Sequence, residues 1–297
     1  MIRLWARKLA LVCSYAGLAV CLPALADAQL AIIIDDIGYN KTQSERAARL
    51  KGNFTLSILP FTPHGLNSAK LARSQGKELM LHLPMSTISN IPIGKGGLVS
   101  GMEKGEFISV LQQDLDSMPF IQGVNNHMGS GLTQEAEPMM WLMSELKKRG
   151  LYFVDSRTSA KTKALDIAKS TEVPSIKRDV FLDDINDEKA IRFQLNRAII
   201  LAQEHGSALA IGHPYPATLS VLEDIQPLLA DRGIKLVYAS TLIKPSKNPV
   251  RSEIALSPVS THHSYCPAPA QDFLTKLSTG VDLYDKSAMM ISPYFGY

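Results

Sequence analysis

The chain has 297 residues, 45% of them hydrophobic and 20% charged, a balance ordinary for a folded enzyme and far from that of a disordered polymer. Of its 31 basic and 28 acidic residues, Arg3, Arg7, Lys8 and Asp27 fall in the first 28 positions, so the remainder carries 28 against 27. That near-neutral balance argues against nucleic acid as a partner, because phosphate recognition leaves a basic footprint.

The first 28 residues read as a secretory signal peptide. Arg3, Arg7 and Lys8 precede an apolar stretch from Leu9 to Leu22, then Pro23 and the small-residue run Ala24-Leu25-Ala26-Asp27-Ala28, with A-x-A cut sites after Ala26 or Ala28. The apolar stretch is short for a membrane span, and no other long one follows. Cys13 and Cys21 leave with the signal, so Cys266 alone remains and the mature chain has no internal disulfide. These features predict a periplasmic protein with no stable span after cleavage.

From Leu30 onward, short apolar runs alternate with helix-like stretches. The run Ile32-Ile33-Ile34 has the length of a buried parallel strand and ends in Asp35-Asp36, before Gly38 and Asn40. Two adjacent carboxylates beside a core are costly unless a cation or a proton-transfer role accounts for them, although Asp36 could also cap the next helix. Helices are predicted over Thr42–Leu50 and His64–Gln75, each with a glycine stop, and strands over Phe54–Leu59 and Glu78–His82. A Gly-, Ser- and Pro-rich insertion fills 86–103. A helix at Glu106–Met118 and a strand at Ile121–Val124 then lead to Asn125-Asn126-His127-Met128-Gly129-Ser130.

The second half repeats the scheme. A helix at Glu137–Arg149 precedes a strand at Leu151–Val154 that ends in Asp155-Ser156-Arg157, and a helix spans Ser159–Lys169. One strand is predicted over Ile176–Leu182, closing on Asp183-Asp184, then a long helix over Asp187–His205. A strand at Ala208–Ile211 ends in Gly212-His213-Pro214-Tyr215. A helix at Thr218–Ala230 and a strand at Lys235–Ala239 complete the pattern.

About eight strands and seven helices in alternation predict a single α/β domain over 29–243, a deformed (β/α) barrel of seven or eight mostly parallel strands. No G-x-G-x-x-G or G-x-x-x-x-G-K-[ST] follows any strand, which counts against the nucleotide-binding versions of an open sheet. Beyond 243 the periodicity fails, and residues 244–297 read as a poorly ordered tail containing His262-His263 and a short helix at Gln271–Leu277.

Strand ends at one mouth of such a barrel carry its chemistry. His64, His82, His127 and His213 all lie at strand ends, whereas His205 sits at a helix C-terminus and answers to the helix dipole. One carboxylate and two imidazoles form a zinc-like site with an open position for water, and a second carboxylate and another imidazole provide acid–base partners. Asp35, Asp36, His82, His127 and His213 supply those parts. His64 could equally be a solvent-facing cap, Asp155 and Arg157 a bracing ion pair, and Asp183 and Asp184 caps of the following helix. Tyr39, Met85, Met128 and Tyr215 could line a sugar platform or simply pack.

The stretches I-I-I-D-D-I-G-Y-N, L-P-F-T-P-H, G-K-E-L-M-L-H-L-P-M, G-V-N-N-H-M-G-S, F-V-D-S-R-T-S, K-R-D-V-F-L-D and A-I-G-H-P-Y-P resemble, in order, the divergent polysaccharide deacetylases. The resemblance covers roughly Leu30–Leu242. It implies a divalent metal, most simply Zn²⁺, with Asp35 as general base, Asp36 and His82 as ligands, and His213 as general acid. It departs from the better-studied deacetylases at Ser86, where their pattern has a second ligand histidine, and His127 is the substitute that strand geometry offers. Asn126, Asp155, Arg157 and Tyr215 are the candidate substrate contacts. The function implied is deacetylation of an envelope glycan, peptidoglycan- or chitin-like. The alternative is a non-catalytic glycan-binding or scaffold protein that keeps the fold.

Overall fold

The computed structural model describes residues 28–243; the predicted signal up to Asp27 and the predicted tail from Lys244 lie outside the described residues. Nine strands form one sheet: β1 (Ala28–Ile37), β2 (Thr55–Ile58), β3 (Glu78–Met85), β4 (Gly123–Met128), β5 (Tyr152–Asp155), β6 (Ser175–Lys177), β7 (Val180–Phe181), β8 (Ser207–Gly212) and β9 (Ile234–Val237). Every ladder is parallel, and the order runs β6-β5-β4-β3-β2-β1-β8-β7. Strand β9 pairs with Ala28–Ala31, where β8 already holds the other edge of β1, so it lies on the β2 side below β2.

Helices cover the outer face: α1 (Lys41–Ala48), α2 (Gly65–Ser74), α3 (Lys104–Ser117), α4 (Ala136–Arg149), α5 (Ala164–Ser170), α6 (Glu188–His205), α7 (Pro216–Glu223), α8 (Ile225–Asp231) and the short α9 (Ala239–Leu242). The period of 2 along a strand sorts side chains between two cores. Leu30, Ile32 and Ile34 join the larger core under the helices. Ala31 and Ile33 instead join Met80, Val154, Leu209 and Ile211 in a smaller cluster on the concave face. With both faces of β1 buried, the strand reads as an unbroken apolar run.

Two predicted elements divide. The strand expected over Ile176–Leu182 is two short strands at opposite edges of the sheet. Arg178 donates its backbone N–H to Asp155 O, and Asp179 donates to Leu209 O, so these two residues step across the seam between β5 and β8. The sheet curls into a deformed barrel that the chain crosses there without a continuous ladder. The helix expected over Thr218–Ala230 breaks at Asp224 into α7 and α8. Pro227 lacks the N–H that would bond the carbonyl of Glu223, and its ring crowds that turn.

Candidate metal centre and active site

Strand β1 would normally send Asp35 and Asp36 to opposite faces. Its register with β2 steps from Ile34–Leu56 to Ile37–Ile58, so one extra residue is accommodated in β1 as a bulge. Asp36 takes the left-handed conformation (φ 55°), a cost on the order of 1–2 kcal/mol for a non-glycine residue. Gly38 follows at φ 131°, where an added Cβ would lie 2.0 Å from Thr62 Oγ1; only glycine lets the β2–α2 loop come so close. The bulge brings both carboxylates to the concave mouth, with Asp35 Oδ2 3.7 Å and Asp36 Oδ1 3.1 Å from His82 Nε2.

His82 lies on the concave face of β3, two residues beyond Met80, and His127 lies on β4, paired in register with Pro84. His127 Nδ1 is 2.9 Å from Asp36 Oδ1 and 3.1 Å from His82 Nε2. Two imidazole nitrogens and one carboxylate oxygen thus face a common point. Donors about 2.0–2.1 Å from a tetrahedral ion stand roughly 3.3 Å apart, close to this spacing. Asp36 Oδ1 is buried and finds no hydrogen-bond partner among the described residues, an orphaned anionic oxygen of the kind a cation satisfies. The residues fit a divalent metal.

Behind the three donors lies a polar support. Asn125 Nδ2 donates to Asp35 Oδ1 at 2.8 Å, which fixes the amide orientation and leaves Asn125 Oδ1 as acceptor. That oxygen receives Ser57 Oγ at 2.6 Å and His82 Nδ1 at 2.8 Å, so His82 carries its proton on Nδ1 and presents a lone pair on Nε2. Burial pushes the Asp35 carboxyl up, against the opposing pull of His82, His213 and Asn125. Burial acts the same way on Asp36, but the neighbouring His127 and His82 overcome it and hold this carboxyl well below the usual range. Two adjacent acids are driven apart, one toward proton exchange and one toward permanent charge.

His213 follows β8 immediately after Gly212, which pairs with Ile34, so it stands beside Asp35 across the β1–β8 edge. Its Nε2 is 3.9 Å from Asp36 Oδ2. Asp183, just beyond β7, accepts from His213 Nδ1 at 3.0 Å, from the His213 backbone N–H at 2.6 Å and from Thr218 Oγ1 at 2.7 Å. Burial lowers the His213 pKa, but the Asp183 pair outweighs it and brings it to about 10, leaving the ring charged at neutral pH. Tyr215 stacks on His213 with ring centroids 5.5 Å apart and forms one wall.

Other sequence candidates fall elsewhere. Asn126 is 1% exposed; its amide accepts from Ser156 N and donates to Met128 O and Thr158 Oγ1, so it braces the rim. Asp155 is fully buried and accepts from Arg157 N and Thr162 Oγ1, which replaces the Asp155–Arg157 ion pair with a backbone clasp. Arg157 is partly buried at φ 54°, and its carbonyl receives Arg178 Nη2. His64 occupies the N-cap position of α2 without a side-chain cap bond. The cap of α6 is Asp187, not Asp183 or Asp184. Ser86 accepts from Ser100 N and contacts Ser100 Oγ, and so anchors the 86–103 insertion.

Strand parity would have found what motif reading passed over. Asn125 is two residues before His127 and shares its face, whereas Asn126 does not. Asp183 shares parity with Phe181, whose ring packs 5.4 Å from that of His213.

Residues 32–243 match a family described as divergent polysaccharide deacetylase. The uncharacterized protein YibQ of Escherichia coli (strain K12) is 40% identical over 226 residues, covering 76% of this chain and 70% of that one. An uncharacterized protein of Haemophilus influenzae is 37% identical over 200 residues, 67% of this chain and 71% of its own. An uncharacterized protein of Agrobacterium tumefaciens C58, solved by crystallography, superposes with a TM-score of 0.71 at 25% identity over 75% of this chain and 92% of that one.

Proposed function

Because this chain belongs to the divergent polysaccharide deacetylase family, we propose that it is an exported, metal-dependent hydrolase that deacetylates an N-acetylated amino-sugar polymer of the cell envelope, peptidoglycan- or chitin-like. The observation that carries this reading is the convergence of Asp36, His82 and His127 on one point, with Asp35 and His213 beside it. Those three residues would hold the ion, and two imidazoles with one carboxylate suit zinc. When bound, the ion supplies positive charge that polarises an acetamide carbonyl and acidifies water.

The chain's own groups do the rest. Asp35 Oδ2, which accepts no hydrogen bond among the described residues, takes the proton of the attacking water. Asn125 holds the other oxygen of that carboxylate and the ligand His82 in fixed orientation. His213, kept charged by Asp183, gives its Nε2 proton to the departing amine as the C–N bond breaks. Acetate and a free amino sugar result. Tyr215 offers an apolar face for a sugar ring beside the acid.

Among the described residues no helix is long and apolar enough to cross a membrane. Export by the N-terminal signal would place the enzyme in the periplasm. Ala28 pairs with Ile234 at the start of β1, so a cut after Ala26 would leave that ladder whole.

Acetate release from peptidoglycan or chitooligosaccharides, with Zn²⁺ added, tests the proposal against Asp35→Asn. Turnover by the wild type that falls at least 10²-fold in the variant is the expected result. Equal release from both would remove the assignment. Retention on insoluble peptidoglycan with no acetate from either protein would favour the glycan-binding alternative.

A further inference from the structure

The opposite end of the sheet holds a second feature. Arg73 at the end of α2, Lys77 and Leu79 at the start of β3, and Phe120 and Gln122 before β4 line an open cavity of about 310 Å³. The strand β3 runs from this end to His82, so four residues at roughly 3.3 Å each separate the two sites. We propose that this cavity binds a small organic anion, a phosphate or carboxylate carried on a flat apolar body.

Three observations support it. The lining contains two cations and no acid, and neither Arg73 nor Lys77 is within 4.0 Å of a carboxylate among the described residues. Lys77 is only 9% exposed, yet among the described residues its ammonium donates to a single neutral acceptor, Gly52 O, at 3.0 Å. A part-buried ammonium bonded to one carbonyl leaves donors and charge that an anion would complete. Burial holds its pKa below the usual lysine value, as expected for an ammonium without a counter-charge.

The aromatic wall is the third observation. Phe120 is 56% exposed and sits at φ 75°, a conformation unfavourable for a bulky side chain. The Arg73 guanidinium lies 3.8 Å from its ring centroid, which orients the fork beside the cavity and leaves the rest of the ring open to a ligand. Gln122 adds an amide at the rim. An anionic oxygen group would meet Lys77 and Arg73 while its apolar body lay against the exposed face of Phe120.

Calorimetric titration with phenyl phosphate, inorganic phosphate and benzoate tests this, with benzylamine as the cationic control. His82→Ala accompanies the wild type, so that phosphate bound at the candidate metal centre is recognised as such. Saturable binding of phenyl phosphate or benzoate to both proteins, weakened at least tenfold by Arg73→Ala and by Lys77→Met, is the expected result; the tighter of the two names the anion. Phe120→Leu should narrow the preference for phenyl phosphate over inorganic phosphate. No saturable binding, binding unchanged by both cation substitutions, or binding lost in His82→Ala would overturn the proposal. The exposed Arg73 site keeps the test valid if Lys77→Met fails to fold.

Discussion

Asp183 grips His213 twice, accepting its ring Nδ1 at 3.0 Å and its backbone N–H at 2.6 Å. One carboxylate therefore sets the orientation and the charge of the ring, because its Nδ1 proton cannot leave without breaking the pair.

Asp183→Asn should separate these roles. The amide keeps the shape but removes the charge that raises the His213 pKa to about 10. The alkaline limb of the deacetylation profile should move to lower pH, and the rate at neutral pH should fall about 10²-fold. Stability follows the same sign. The raised imidazole pKa stabilises the fold fully below about 6.5, and this contribution fades as pH climbs through about 10. The variant should lose that dependence, as thermal melts from pH 6 to 10 would record. An unchanged profile would exclude Asp183 as the positioning residue.

Asn125 is the joint between the base and the candidate metal centre, bonded at 2.8 Å to both Asp35 and His82. Asn125→Leu should weaken zinc affinity by about 10–100-fold, the usual cost of losing a partner behind a ligand histidine. His127→Ala, which removes a donor outright, should cost more. Competition titration with a zinc chelator measures both. Equal affinity in all three proteins would place the ion elsewhere.

Asp114 on α3 is fully buried, and among the described residues neither of its carboxylate oxygens finds a hydrogen-bond partner. It abuts Gly96 of the 86–103 insertion, where a Cβ would come within 2.0 Å of Oδ1. Burial pushes its pKa up to about 8. Between the ordinary carboxylate range and that value the folded state binds a proton that the unfolded chain has released, so stability falls as pH rises. Asp114→Asn, which mimics the neutral acid, should flatten that slope and raise the melting temperature at pH 8–9. Each kcal/mol regained is worth about 2–4 °C in a domain of this size. A steeper slope in the variant would show that the ionised form is the stabilising one.

Much of this architecture was legible in one dimension. The apolar runs, the glycine stops and the parallel alternation follow from local backbone physics, and they predict α4, β5 and α6 to within about a residue at each end. The motif stretches also name Asp35, Asp36, His82, His127 and His213, because acids and imidazoles at strand ends need a reason to be there. What local pattern could not supply was direction. A bulge of one residue decides that Asp35 and Asp36 share a face, and strand parity decides that Asn125 supports the centre while Asn126 braces the rim.

The seam was only partly legible for a similar reason. The charged run Lys177-Arg178-Asp179 marks the place of the break in Ile176–Leu182, but what divides the strand is a pair of bonds to Asp155 and Leu209, residues distant in sequence. The anion cavity likewise joins Arg73 and Lys77 to Phe120 only when β3 and β4 lie side by side. Sequence determined which chemical groups the chain possesses and the periodicity that makes it an α/β domain. Tertiary structure decided which of those groups meet, because hydrogen-bond geometry and charge act over a few ångströms, whatever the distance along the chain.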